Sequence, residues 1–330
     1  MTLFASDAVP DDSHLPGATR QGVAFGLEIT GHFPAPGLWT AGSLARRVSL
    51  ELADPGTLEP SEAGWEPRCR VPLDDRGRKL RLEEHRDHGY LLRADGFGSY
   101  LVARDGRRVA VAPPPLPAWR WQRLLTAQVL PIASVAQGLE LFHASAVEVD
   151  GRALAILGGS GAGKTTLAAR LMLSGAGFVS DDVVAVEAVD GRLVAHSGPP
   201  LMNLRDSASR LLSPGERSRL GTELGSDDGG PRLLVGRTTT ALPLAAVCIL
   251  RRSASRRGGV SVTRLSPPGP EMLLGAGFAT AIRTPVRLIR RLDLCASLAG
   301  RTPVFMIEAA ADAPPSAVAT ATLRAIGRKP

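Results

Sequence analysis

From Gly22 to Pro113 the apolar residues come in short runs separated by turn signals. The pattern predicts strands over residues 23–29, 48–52, 89–93 and 99–103. Ala103 and Val109 flank Arg104-Asp105-Gly106, a hairpin turn in which the glycine supplies the positive φ. The stretch Pro113-Pro114-Pro115-Leu116-Pro117 is a stiff break and marks a boundary. The expected organisation is a disordered tail over 1–18, a smaller β-rich (α+β) domain over 19–117, and a second domain over 118–330.

After the break the period changes. Trp121, Leu124, Leu125, Val129 and Ile132 predict a helix over 118–136, kinked or interrupted at Pro131. Apolar runs at 139–149 and 152–157 read as strands joined by a hairpin turn at Asp150-Gly151. A helix over 163–174, a strand over 177–186 and a hairpin over 189–195, turning at Asp190-Gly191, follow. Thr222 to Arg232, rich in Gly and Asp, reads as a mobile loop. Further strands are expected at 244–250, 260–265 and 303–307, with helices at 270–281, 286–298 and 316–326. Strands alternating with helices give an α/β class, and the hairpins make its sheet mixed.

Composition narrows the function classes. The chain has 330 residues and a formal net charge of +7, but only three of its 39 basic residues are lysine: Lys79, Lys164 and Lys329. Arginine is spread along the whole chain and aromatics are 4%, so the charge reads as compositional bias, not as a nucleic-acid surface. No apolar run reaches the roughly 20 residues of a membrane span. The N-terminus lacks the basic patch and apolar stretch of a signal peptide. Cys69, Cys248 and Cys295 are far apart and odd in number, against a disulfide framework or zinc cluster. A cytoplasmic location is the expectation.

The chemistry concentrates after the run Leu154-Ala155-Ile156-Leu157. There the chain reads Gly158-Gly159-Ser160-Gly161-Ala162-Gly163-Lys164-Thr165-Thr166 and enters an amphipathic helix. This is G-x-x-x-x-G-K-[ST] in the strand–loop–helix setting the motif requires. Its glycines let backbone N–H groups form a nest for phosphate oxygens, at a helix N-terminus that adds partial positive charge. Lys164 would reach the β- and γ-phosphates of ATP and the Thr165 hydroxyl would hold Mg²⁺. A second feature is the apolar strand ending in Asp181-Asp182, which one helix and one turn return beside the loop. Of two carboxylates there, one can complete the Mg²⁺ shell while the other accepts a proton from an attacking hydroxyl. His143, in Phe142-His143-Ala144-Ser145-Ala146, is folded back along the loop strand by the Asp150-Gly151 hairpin.

Together these elements resemble the catalytic domain of the HPr kinase/phosphorylase family, over residues 139–190. The resemblance implies a mixed-sheet kinase domain in which Asp181 is the general base toward a serine hydroxyl, Asp182 and Thr165 serve Mg²⁺, and His143 supports the Asp181 side. The family's downstream segment, an acidic residue followed by Arg-Gly-Leu-Gly, is missing; the comparable region reads Pro199-Pro200-Leu201-Met202-Asn203-Leu204-Arg205-Asp206-Ser207. HPr itself and the reverse reaction are therefore not implied. Shortened kinases of this kind look associated with modified-peptide biosynthesis, which points to a peptide or protein serine as acceptor, with a small-molecule alcohol as the alternative. A homo-oligomer is left open. For a further phosphate contact Arg237 is the first nominee and Arg205 the second.

Two other nucleotide-binding classes fail. A GTPase needs an Asn-Lys-x-Asp motif, and Lys79 and Lys329 offer none. Leu173-Ser174-Gly175 imitates an ABC signature but falls at the end of the loop's own helix, where Gly175 reads as a cap. A non-catalytic ATP-binding sensor or assembly protein is the remaining alternative.

Overall fold

The computed structural model of the chain describes residues 19–39, 42–54, 56–58, 63–72, 79–227, 229–237, 240–253 and 259–328. The tail expected over 1–18 and Lys329 lie outside them.

One sheet comprises β1 (Arg20–Ala24), β2 (Leu27–Gly31), β3 (Arg47–Leu52), β4 (Glu66–Pro72), β5 (Lys79–His85), β6 (Gly89–Ala94), β7 (Gly98–Ala103) and β8 (Arg108–Ala112), in the order β1-β2-β3-β8-β7-β6-β5-β4. The single strand expected over 23–29 is two. Phe25 and Gly26, with φ of 52° and 77°, turn the chain back so that β1 pairs β2 antiparallel. Phe25 is 2% exposed and packs in the core, so this turn carries no polar marker. Two further strands carry weak sequence signals: β4 is an exposed edge strand with prolines at its second and last positions, and β5 sets only Leu80 and Leu82 among charged residues.

The helical segment is α1 (Ala118–Leu124), a π-helical turn (Leu125–Val129) and α2 (Leu130–Ala136). The interruption expected at Pro131 takes this form: the Leu130 N–H reaches back five residues to the Leu125 carbonyl, just before the residue that has no N–H to give. Leu125, Val129 and Leu130 share one core with Leu27, Leu50 and Tyr100 of the first sheet, and that core runs on to Leu141, Val183 and Ala185.

The second sheet contains β9 (Glu140–Phe142), β10 (Ala144–Val149) and β11 (Arg152–Leu157); α3 (Lys164–Leu173) lies on it; β12 (Gly177–Ser180), β13 (Val184–Val189) and β14 (Arg192–His196) follow. Asp150-Gly151 and Asp190-Gly191 turn the expected hairpins, all four residues having positive φ. The runs expected as single strands over 139–149 and 177–186 are each broken, at His143 and at Asp181–Val183. On one side of the breaks β9 pairs β13, and on the other β10 pairs β12. Alternation along β10 and β11 divides two cores: Ala144, Ala146, Ala153, Ala155 and Leu157 face one, while Val147, Val149, Leu154 and Ile156 face α3.

Next come β15 (Leu201–Asn203), α4 (Asp206–Ser209), α5 (Pro214–Leu220), β16 (Gly221–Asp227) and β17 (Gly230–Val235), the three strands forming a small sheet ordered β15-β17-β16. The loop expected over 222–232 is therefore a hairpin; its glycines occupy a shifted register and a turn between paired strands. β18 (Ala241–Ser253) runs parallel to both β11 and β20 (Val304–Ala310), and β19 (Val260–Leu265) pairs β20 antiparallel. The helix expected over 270–281 stops early, as α6 (Pro270–Leu274). The residues after it run beside β9 instead, with the Phe278 N–H on the Leu141 carbonyl and Gly277 bridged to Phe142. α7 (Pro285–Arg301) and α8 (Pro315–Ala325) complete a mixed α/β fold of several sheets and few helices. Pairings β10–β11–β18–β14–β13–β9 close a circuit, since β9 leads directly into β10.

Candidate functional site

β11 delivers the chain into the glycine-rich loop at the carboxyl end of the strand. Gly158 has φ 156°, and a Cβ there would lie 2.5 Å from the Leu250 carbonyl oxygen of the neighbouring β18, so no side chain fits. Gly159, Ser160 and Gly161 form an exposed crest, and nothing lies within 4 Å of where a Cβ of either glycine would be. Ala162 N–H bonds the Gly159 carbonyl, and Gly163, at φ 96°, caps α3. Lys164 is the first residue of that helix and is 7% exposed; its Nζ donates to the carbonyls of Gly158 at 3.0 Å and Gly159 at 3.2 Å. Burial pulls the Lys164 ammonium below its ordinary pKa, opposed by Asp182 and Asp181. Thr165 is half-buried and Thr166 buried. At its far end α3 closes with Gly175 N–H on the Met172 carbonyl and Ala176 N–H on that of Leu171, which makes Gly175 the expected cap.

Asp181, in the break after β12, is buried and fully partnered on one oxygen. Its Oδ1 accepts from Thr165 Oγ1 and from Ser145 Oγ, each at 2.8 Å, and its Oδ2 accepts from the Asn203 N–H at 3.0 Å. Burial pushes its carboxyl up, the Asp182 charge adds to this, and the three donors pull the other way; the net direction is up. Asn203 comes from β15, and its own Oδ1 is buried without a hydrogen-bond partner among the described residues.

Asp182 faces outward. It stands at φ 68°, left-handed backbone that aspartate tolerates better than most residues. Its Oδ1 lies 3.3 Å from His143 Nδ1, and the two side chains are 40% and 37% exposed. The two breaks are tied to each other and to the segment after α6: Ala144 N–H bonds the Asp182 carbonyl, and His143 N–H that of Ala276. Burial lowers the His143 pKa against the pull of Asp182, which favours the neutral imidazole at neutral pH.

The two nominated arginines part company. Arg237 is half-buried and donates to the Val23 carbonyl of the first sheet at 2.7 Å, so its guanidinium is engaged there and not at the loop. Arg205 is exposed and its Nη2 reaches Ser160 Oγ on the loop crest at 3.2 Å; its charge also depresses the pKa of His143 and Lys164. The structure thus gathers Gly158–Thr166, Asp181, Asp182, His143 and Arg205 in one place and leaves Arg237 outside it. Ser145 and Asn203 join them without a motif in the sequence. A lone hydroxyl between Ala144 and Ala146 was the available signal for Ser145; nothing local marked Asn203, whose approach depends on the β15–β17 pairing.

No family model and no curated protein matches the chain. Among solved structures, the Hpr(Ser) kinase/phosphatase from Coxiella burnetii overlaps it with a TM-score of 0.31 and 12% identity, over 56% of this chain and 95% of that one. That overlap is too loose to assign fold or function. Among the described residues no helix is long and apolar enough to cross a membrane.

Proposed function

We propose that this chain is an ATP- and Mg²⁺-dependent kinase that phosphorylates a hydroxyl, most simply a serine of a peptide or protein. The observation that carries the reading is the 2.8 Å bond between Thr165 Oγ1 and the buried Asp181 carboxylate, at the foot of a glycine-rich loop whose buried Lys164 donates, among the described residues, to its own loop's carbonyls.

The residues fit the nucleotide. The open crest at Gly159 and Gly161 leaves room for phosphates, and the first N–H groups of α3 and the Lys164 ammonium supply donors for them. Thr165 Oγ1, Asp181 and the orphaned Asn203 Oδ1 are a hard oxygen set suited to Mg²⁺. The bound magnesium nucleotide would supply the transferable phosphoryl group and offset its charge. Arg205 would lie against the same phosphates from the acceptor side.

Burial argues for exchanging the roles that the family resemblance implies for the two aspartates. Asp181 is enclosed and three donors already occupy it, so it serves the metal side with Thr165. Asp182 is half-exposed, beside His143, and is the carboxylate an incoming hydroxyl can reach. Asp182 therefore accepts the acceptor's proton, and His143 orients it through Nδ1.

The test is transfer of labelled phosphate from ATP to cell-extract fractions or peptides. Asp182→Asn should lose about a hundredfold or more of transfer while ATP affinity stays within about tenfold. Asp181→Asn should instead weaken Mg²⁺-dependent nucleotide binding. Near-full turnover by Asp182→Asn would refute the mechanism. Nucleotide binding by the wild type without transfer to any fraction would turn the reading toward a sensor, and label found only in small molecules toward an alcohol kinase.

A further inference from the structure

We infer that Ser145 is a positioning residue for the metal-side carboxylate, an inference that rests on the kinase reading of the same site. Ser145 is fully buried in β10, between two alanines that face the opposite core, so its hydroxyl points to the α3 side. Its described side-chain bond is donated to Asp181 Oδ1 at 2.8 Å.

A count of lone pairs makes the case. An ionised carboxylate offers about four acceptor positions. In Asp181 the Ser145 and Thr165 hydroxyls take both on Oδ1, and the Asn203 N–H takes one on Oδ2. One position on Oδ2 is left, so Asp181 can present a single oxygen, to a cation or to a water bound to one. Thr165 stands in the first turn of α3, directly after the glycine-rich loop, and Asn203 ends β15 of the small β15-β17-β16 sheet. Ser145 is the second residue of β10, opposite Ile156 of β11, and the next residue, Ala146, pairs Ser180 of β12. Ser145 is the member of the set supplied by β10, and its bond to Oδ1 holds Asp181 in one rotamer. Removing it takes away one of the three donors that fix the orientation of the buried carboxylate.

The experiment measures Mn²⁺ affinity by electron paramagnetic resonance on the full chain with bound ATP, a readout separate from turnover. Ser145→Ala should weaken Mn²⁺ by about tenfold, and Ser145→Thr, which keeps the hydroxyl, should recover most of that. In an Asp181→Asn background, Ser145→Ala should change Mn²⁺ affinity by less than about twofold, since the partner is already altered. Loss of packing alone would lower thermal stability equally in both backgrounds and leave Mn²⁺ affinity unmoved. Affinity within about twofold of wild type in a folded Ser145→Ala protein overturns the proposal, and so does equal weakening in both backgrounds. If Ser145→Ala does not fold, Ser145→Cys, close in size but a weak donor, decides on the same two criteria. A wild type that binds Mn²⁺ and ATP, responds to Ser145→Ala as expected, and transfers no phosphate would sink the kinase reading and leave Ser145's role intact.

Discussion

At Asp182 a side chain and a backbone conformation compete. Glycine would hold φ 68° without penalty, whereas aspartate gives up about 1 kcal/mol there. The expected result is that Asp182→Gly raises the melting temperature while losing phosphoryl transfer, and Asp182→Ala loses transfer without the stability gain. Parallel melts and transfer assays check this; a destabilised glycine variant would mean that the His143 contact outweighs the backbone term. Gly158 is the opposite case, since a Cβ would meet the Leu250 carbonyl at 2.5 Å. Gly158→Ala should displace the loop and weaken ATP binding, read by calorimetric titration. The loop and Lys164 were legible in the sequence because the motif is contiguous and each residue's task follows from its own backbone. The division between Asp181 and Asp182 was not, because adjacent identical residues differ only in what the fold places around them: three donors for one, a half-exposed histidine for the other.

The elements matter chiefly through their interruptions. β9 leads into β10, and β12 nearly into β13, and the breaks lie side by side, so His143 and the aspartate pair leave the regular ladder at the same level. Apolar runs conceal such breaks, which require no glycine or proline, whereas the Asp-Gly hairpins announced themselves through turn chemistry. Another junction ties the two large sheets. Glu187 of β13 takes the His196 ring nitrogen at 2.8 Å and both terminal nitrogens of Arg46, from the segment before β3. The His196 hydrogen bond above all, with Arg46 adding to it, holds the Glu187 carboxyl at about 2, below its ordinary 4.5. A depressed carboxylate contributes stability that is present above pH 4.5 and disappears as pH falls toward 2. Urea midpoints over that window should therefore fall more steeply for the wild type than for Glu187→Gln. Parallel curves would show that the junction does not titrate.

At the scale of the molecule, the proline run ending at Pro117 separates strands from a helical segment, and one core continues across it. Leu125, Val129 and Leu130, all fully buried, lie in the core of the first sheet together with Val183 and Ala185 of the second. A fragment of residues 118–330 would leave that core half-built, and burial of large side chains is worth about 1.5–3 kcal/mol each. It should lack the cooperative calorimetric melt expected of the full chain, and a sharp independent transition would argue that the parts fold separately. Core sharing of this kind escapes a linear reading, because the partners of an apolar helix face are set by the chain's return far downstream.

The closed circuit of strands has a consequence for exchange with solvent. β10 is bonded to β11 and β12, and β11 to β10 and β18, so neither offers a free edge at which backbone amides open one at a time. In deuterium these amides should exchange last and together. Uptake that responds to nucleotide should appear at the crest at 159–161 and at the Asn203–Arg205 segment that meets it. The site should therefore breathe at its rim while the strands behind it stay shut.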